Sequence, residues 1–131
     1  MSGPSGFSSL DAAERKLIGR LGVKVFTMSD IDRYGLERAV RESLEYLEGA
    51  AFLHVSLDLD AVDPMFAPGV GTPVPGGLSY REAHLTLELV SESGRLDSLE
   101  LVEVNPILDR QNETGSLAVE LAASALGARI L

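Results

Sequence analysis

The stretch FLHVSLDLDAVDP, Phe52 to Pro64, passes from an apolar, strand-like run into three aspartates, Asp58, Asp60 and Asp63. Carboxylates at the end of a buried strand are costly unless something positive meets them. Strand side chains alternate between faces, so His54, Ser56, Asp58 and Asp60 are expected on one side. Leu53, Val55, Leu57 and Leu59 then share the other. The run Ala51–Asp60 reads as a strand buried on its leucine face, with two acids projecting together at its C-terminal end.

The segments on either side set the fold class. Upstream, Asp11 and Glu14 have capping-box spacing. The short helix after them would turn Leu17, Ile18 and Leu21 inward and end at Gly22. VKVFT, Val23–Thr27, reads as a short strand. LERAVRESLEYLEG then places Leu36, Ala39, Val40, Leu44 and Leu47 on one helical face, closed by Gly49. Downstream, Ser79 and Glu82 form a second capping box, before a helix with Tyr80, Ala83, Leu87 and Val90 on one side. SLELVEV, Ser98–Val104, is a third strand, halted by Asn105-Pro106. An alanine- and leucine-rich helix follows Thr114, from about Ser116 to Leu126. The order β-α-β-α-β-α predicts an α/β fold with a parallel sheet covered by helices, over residues 10–131. The Gly/Ser-rich residues 1–9 read as a flexible N-terminal segment.

Composition narrows the function classes. The chain has 131 residues, 45% of them hydrophobic and 24% charged, which suits one globular domain with a core. Its net charge of −9 argues against nucleic acid or an anionic membrane surface as partner, and suits metal cations or a cationic small molecule. There is no cysteine, so neither disulfides nor thiolate metal sites are available. No apolar run reaches the length of a membrane span and no signal-peptide pattern is present, which reads as a cytoplasmic protein.

Fifteen residues break the helix–strand rhythm. PMFAPGVGTPVPGGL, Pro64–Leu78, holds four prolines and four glycines. Loops this long in compact domains are often functional. Proline stiffens this one, and glycine lets its backbone approach a neighbour closely. An exposed connector is the plainer alternative.

The end of a parallel strand is where open α/β sheets bind ligands. Asp58 and Asp60 there would repel each other and raise one pKa, unless a cation holds them. A hard divalent ion suits such oxygen ligands. Spacing alone is equally consistent with solvated strand-end acids or helix caps. A calcium loop of EF-hand type is ruled out, because its last position would be Gly69 instead of a glutamate. His54 lies further down the strand and reads as a hydrogen-bonded core histidine. His84, on a helix, has no assigned role. Glu103, near the end of the third strand, could meet a guanidinium group by a bidentate contact or pair with a lysine or arginine. Glu100, on the opposite parity, has no comparable case.

Two blocks, SLDLDAVDPMFAPGVGTPVPGGLSYRE and LVEVNPILDRQNETG, resemble the C-terminal part of arginases, in the manganese-dependent ureohydrolase family. The similarity runs from about Leu10 to the end, through LGVKVFTMSDIDRYGL and the tail ELAASALGARIL. It implies the C-terminal portion of a three-layer α/β/α fold with a parallel sheet. It also implies hydrolysis of arginine to ornithine and urea at a centre of two manganese ions, with a water activated between them. By the same resemblance, Asp58 matches the carboxylate that bridges both ions, and Asp60 matches a ligand of one. Glu103 matches the glutamate that holds the guanidinium group, and Thr72 a substrate-contacting threonine. Asp63 matches a motif aspartate expected to organise the loop. Arginine or a related guanidino compound would be the substrate. Trimers or hexamers of full-length chains are the family's assemblies.

The chain also departs from the family. Members are more than twice as long, with histidine ligands and an Asp-x-His-x-Asp motif upstream. The two histidines here, His54 and His84, match neither. The residues that grip the two ends of arginine, and the proposed proton-shuttle histidine, are upstream as well, so no catalytic residue is assigned here. The isolated chain is therefore expected to be inactive. In the family fold, strands from the upstream half separate Val23–Thr27 from the other two. A chain with such an exposed sheet edge should be marginally stable or associate. An agmatinase-type ureohydrolase is the alternative enzyme. A non-catalytic fragment serving as an interaction module is the alternative from another class.

Overall fold

The computed structural model describes residues 11–130, so the segment 1–9 expected to be flexible lies outside the described residues. The order is α1 (Ala12–Leu21), α2 (Met28–Tyr34), α3 (Leu36–Tyr46), β1 (Leu53–Asp58), α4 (Tyr80–Glu92), β2 (Leu96–Val102) and α5 (Glu113–Ala125). β1 and β2 pair in parallel, with Val55 opposite Leu99 and Leu57 opposite Leu101. Pairing sends alternate residues to opposite faces, which decides where the core lies.

Leu57 and Leu59 pack with Ala83 and Leu87 of α4 and with Leu117, Leu121 and Ala125 of α5. Val55 and Leu96 also meet a second cluster, formed by Leu36 and Val40 of α3, Leu78, and Leu89 and Val90 of α4. α4 is thus the central helix, between α3 and α5. On the other side of the sheet, His54, Ser56 and Glu100 are exposed. His54 is hydrogen-bonded, with Nδ1 at 2.5 Å from Oγ of Ser98 and Nε2 at 3.6 Å from Glu100, but it is not in the core. The exposed face of the sheet explains the difference, because nothing among the described residues buries the ring.

Both expected capping boxes form, Asp11 with Glu14 and Ser79 with Glu82. A third, between Thr27 and Asp30, starts α2, a helix absent from the sequence reading. α1 buries none of its residues, and Leu17 and Leu21, expected to face inward, are 52% and 66% exposed. Ile18, the third residue of that expected face, is half-buried, so the face is covered only in part among the described residues.

Val23–Thr27 is not a strand. A strand needs a neighbour to bond with, and the segment is separated from β1 by a groove of about 400 Å³. Val25, Phe26, Val40, Leu44, Leu53 and Val55 are among its lining residues. The outer edge of β1 is consequently unpaired among the described residues. No described helix is long and apolar enough to cross a membrane.

Candidate metal and guanidinium site

β1 ends at Asp58, and residues Leu59–Ala61 close into a 3-10 turn, so the expected strand to Asp60 stops two residues early. The cause is local. Asp58 has extended backbone angles, and its Oδ1 accepts the amide of Asp60 at 2.8 Å, capping the turn. Strand parity therefore does not govern Asp60. The turn brings the two carboxylates together by a different route and buries Asp60 to 5% exposure.

The two acids differ in their surroundings. Oδ2 of Asp60 accepts the hydroxyl of Thr72, while Oδ1 is buried without a hydrogen-bond partner among the described residues. Such an orphan oxygen is expensive in a protein interior. Asp58 is half-buried, and desolvation, reinforced by repulsion from Asp60, raises its pKa above the usual carboxylate range. Among the described residues, no group of three or more His, Cys, Asp or Glu side chains is placed to hold a metal ion. The aspartate pair is thus a pair of oxygen donors, short of a full ligand set.

Asp63 organises the Pro64–Leu78 loop as expected. Its carboxylate accepts the amides of Met65 and Gly76, both at 2.9 Å, which hold its pKa low. The loop's base is closed by the amide of Asp63 on the carbonyl of Leu78 and that of Leu78 on Ala61. Gly77 passes so close that a Cβ there would lie 2.6 Å from the Ala61 carbonyl oxygen. The loop so fixed presents Thr72 to Asp60.

Glu103 lies one residue beyond β2, with φ of 67°, in the left-handed region that a side chain rarely adopts. It is exposed and makes no ion pair among the described residues. Strained backbone of this kind persists only where neighbours hold it. Here the amide of Asn105 donates to the carbonyl of Gly69 at 2.7 Å, tying the Glu103 turn to the loop. Asp58, Asp60 and Thr72 are therefore directly joined, while Glu103 is linked to them through Gly69 and has no hydrogen bond to the aspartates.

Sequence reasoning missed what surrounds Gly69. Asp109, Thr114 and Asn105 converge on it, and the only signal was an acid shortly before a helix without a usual cap. It also missed His84, which is 1% exposed and bonds Oγ of Ser124 through Nδ1 at 2.7 Å.

Comparison with known proteins follows this geometry. The model of the Arginase family matches residues 4–127. An arginase of Bacillus subtilis is 54% identical over 126 residues, covering 96% of this chain and 43% of its own length. An arginase of Bacillus caldovelox is 50% identical over 127 residues, with 96% and 42% coverage. A crystal structure of the Bacillus subtilis arginase superposes with a TM-score of 0.92, over 96% of this chain and 45% of that one. The chain spans under half the length of the relatives it matches.

Proposed function

The chain belongs to the arginase family, and on that premise we propose that it carries part of a site that hydrolyses a guanidinium group. The substrate in this reading is arginine, the products are ornithine and urea, and two manganese ions are the cofactor of the complete site. The fold, an arginase-like α/β portion, is common ground with the relatives. The reaction, the metal and the residue roles are the proposal.

One observation carries the reading. Oδ1 of Asp60 is buried without a hydrogen-bond partner among the described residues, beside the desolvated Asp58 at the C-terminal end of a parallel strand. Hydrogen bonding among the described residues leaves that oxygen unsatisfied, and a hard divalent cation would satisfy it. Asp58 and Asp60 are assigned as metal ligands, Asp58 as the one that bridges. Two carboxylates fit such ions but do not complete their coordination, so further ligands must come from residues beyond this chain. When bound, the ions would lower the pKa of water to supply a nucleophile near neutral pH.

The rest of the chemistry falls to side chains. Glu103, exposed and without an ion pair among the described residues, would accept the guanidinium N–H groups in a charge-assisted contact and orient the carbon for attack. Thr72 would hold Asp60 by its hydroxyl and present the loop to the substrate. The lack of a third ligand among the described residues favours the other reading, a non-catalytic interaction module, for the chain taken alone.

The test is manganese binding and urea release by the purified chain, alone and mixed with the N-terminal part of the Bacillus subtilis arginase that it does not span. Urea from arginine only in the mixture is the expected result. Preference for agmatine would shift the assignment to an agmatinase-type enzyme. Two tightly bound manganese ions in the chain alone would overturn the partial-site reading. A mixture that binds no manganese and releases no urea would leave the interaction module.

A further inference from the structure

Gly69 sits where three elements meet. Its amide donates to Oγ1 of Thr114 at 2.7 Å, and its carbonyl accepts the amide of Asn105 at 2.7 Å. A Cβ at residue 69 would lie 2.5 Å from Cγ and 2.6 Å from Cβ of Asp109, closer than side chains approach. No other residue type fits without displacing that carboxylate.

Asp109 is itself held from both sides. α5 begins at Asn112, whose backbone is left-handed and whose side chain makes no cap bond. Asp109 supplies the missing acceptors. Oδ1 takes the amides of Arg110 at 2.9 Å and Thr114 at 3.1 Å, and Oδ2 takes that of Gly115 at 3.1 Å. Satisfying the free N–H groups of a helix start fixes the carboxylate and the first turn together. Although desolvation pushes its pKa up, the Thr114 and Gly115 amides hold it below the ordinary value, so it is a charged acceptor at neutral pH. Thr114, completely buried in that turn, aims its hydroxyl at Gly69.

The substrate-facing candidates hang from this point. Thr72 is three residues beyond Gly69 in the loop, and Glu103 is two residues before Asn105. We infer that Asp109 and Thr114 are positioning residues, which clamp Gly69 so that the Thr72 loop and the strained Glu103 turn face a guanidino substrate as one rigid unit. The inference rests on the reading of Thr72 and Glu103 as substrate contacts. The clamp itself is a claim about this chain's own hydrogen bonds.

Two measurements separate those claims. The first is amide hydrogen exchange on the full chain, at Gly69 and Asn105, with Leu57 and Leu101 of the sheet as internal references. The isosteric change Thr114→Val removes the acceptor and should speed Gly69 exchange by about tenfold or more while the references hold. Thr114→Ser should restore it, and Asp109→Ala should release both Gly69 and Asn105. If Asp109→Ala speeds every amide alike, the Thr114 pair decides. Unchanged Gly69 exchange in Thr114→Val overturns the clamp.

The second is arginine hydrolysis by the chain mixed with the N-terminal part of the Bacillus subtilis arginase. Thr114→Val should raise KM by about fivefold, with a smaller change in kcat and recovery in Thr114→Ser. A fall in kcat at unchanged KM overturns the role in substrate positioning. No urea from the unmutated mixture, where the intact Bacillus subtilis arginase works, overturns the functional reading and the substrate role with it. The exchange rates still decide the clamp.

Discussion

Thr72 donates its hydroxyl to Oδ2 of Asp60, while Oδ1 of the same carboxylate is buried without a partner among the described residues. The bond crosses twelve residues of chain and fastens the proline-rich loop to the strand end. It satisfies one oxygen and leaves the other without a partner among the described residues. An unsatisfied buried acceptor costs about 1–3 kcal/mol, and more when charged. A chain that keeps this arrangement gives up stability at the point proposed to hold metal.

Asp58→Asn tests that trade. Burial raises the folded-state pKa of Asp58 above its unfolded value, so stability is lost as pH rises above the unfolded pKa and the charged form must be kept in the fold. Asparagine keeps an oxygen to accept the Asp60 amide and removes the charge. The melting temperature of the metal-free chain should therefore stay equal or rise. Urea release by the complemented enzyme should fall by about a hundredfold or more, since a proposed metal ligand is lost. A variant that melts lower yet turns over normally would contradict both assignments.

Glu103→Gln separates substrate from metal. The neutral amide keeps the shape but loses the charge-assisted contact, worth about 1.5–3 kcal/mol, so KM for arginine should rise by about tenfold to a hundredfold. Manganese affinity, read by calorimetry on the complemented protein, should not change. Loss of manganese with unchanged KM would move Glu103 from the substrate to the metal.

His84 predicts a stability profile unrelated to catalysis. Burial lowers its pKa below 6.5, against an upward pull from Glu120 and Glu88, with Arg81 acting downward. The folded state thus binds fewer protons than the unfolded state below that value. Stability is fully present above about pH 6.5 and is lost as pH falls toward the folded pKa. Nε2 is buried without a hydrogen-bond partner among the described residues, at 3.8 Å from the exposed Glu120, which already accepts the hydroxyl of Tyr80. Urea denaturation midpoints between pH 5 and 8, read for the wild type and His84→Gln, should show a steeper acid loss in the wild type. Equal slopes would remove His84 as the source.

The parts legible in the sequence were those set by neighbours along the chain. The Asp11–Glu14 and Ser79–Glu82 boxes depend on residues three apart, and both form. Val55 and Leu57 pack with the helices as alternation requires. Failures came where a distant partner decides. Val23–Thr27 has strand-like residues and no strand beside it among the described residues, and the apolar face of α1 leaves Leu17 and Leu21 exposed. Asp60 was placed beside Asp58 by strand parity, yet a 3-10 turn capped by Asp58 puts it there. Exposure of His54 depended on which face of the sheet the helices cover. Gly69 was noticed as a loop glycine, but its clash partner, Asp109, is forty residues away.

The unpaired edge of β1 yields the last prediction. Beside it lies a groove of about 400 Å³, with Val25 and Phe26 on one wall and Leu53 and Val55 on the other. Backbone N–H and C=O groups on such an edge are a template for another strand, and the apolar walls add burial to the pairing. The chain at high concentration should therefore self-associate, with sedimentation velocity showing mass rising with concentration. The N-terminal part of the Bacillus subtilis arginase should suppress this by occupying the edge, and should slow amide exchange in β1. Slowing of exchange in α1 alone, with β1 unchanged, would put the contact elsewhere. A chain that stays monomeric at every concentration would show that the edge is protected without a partner.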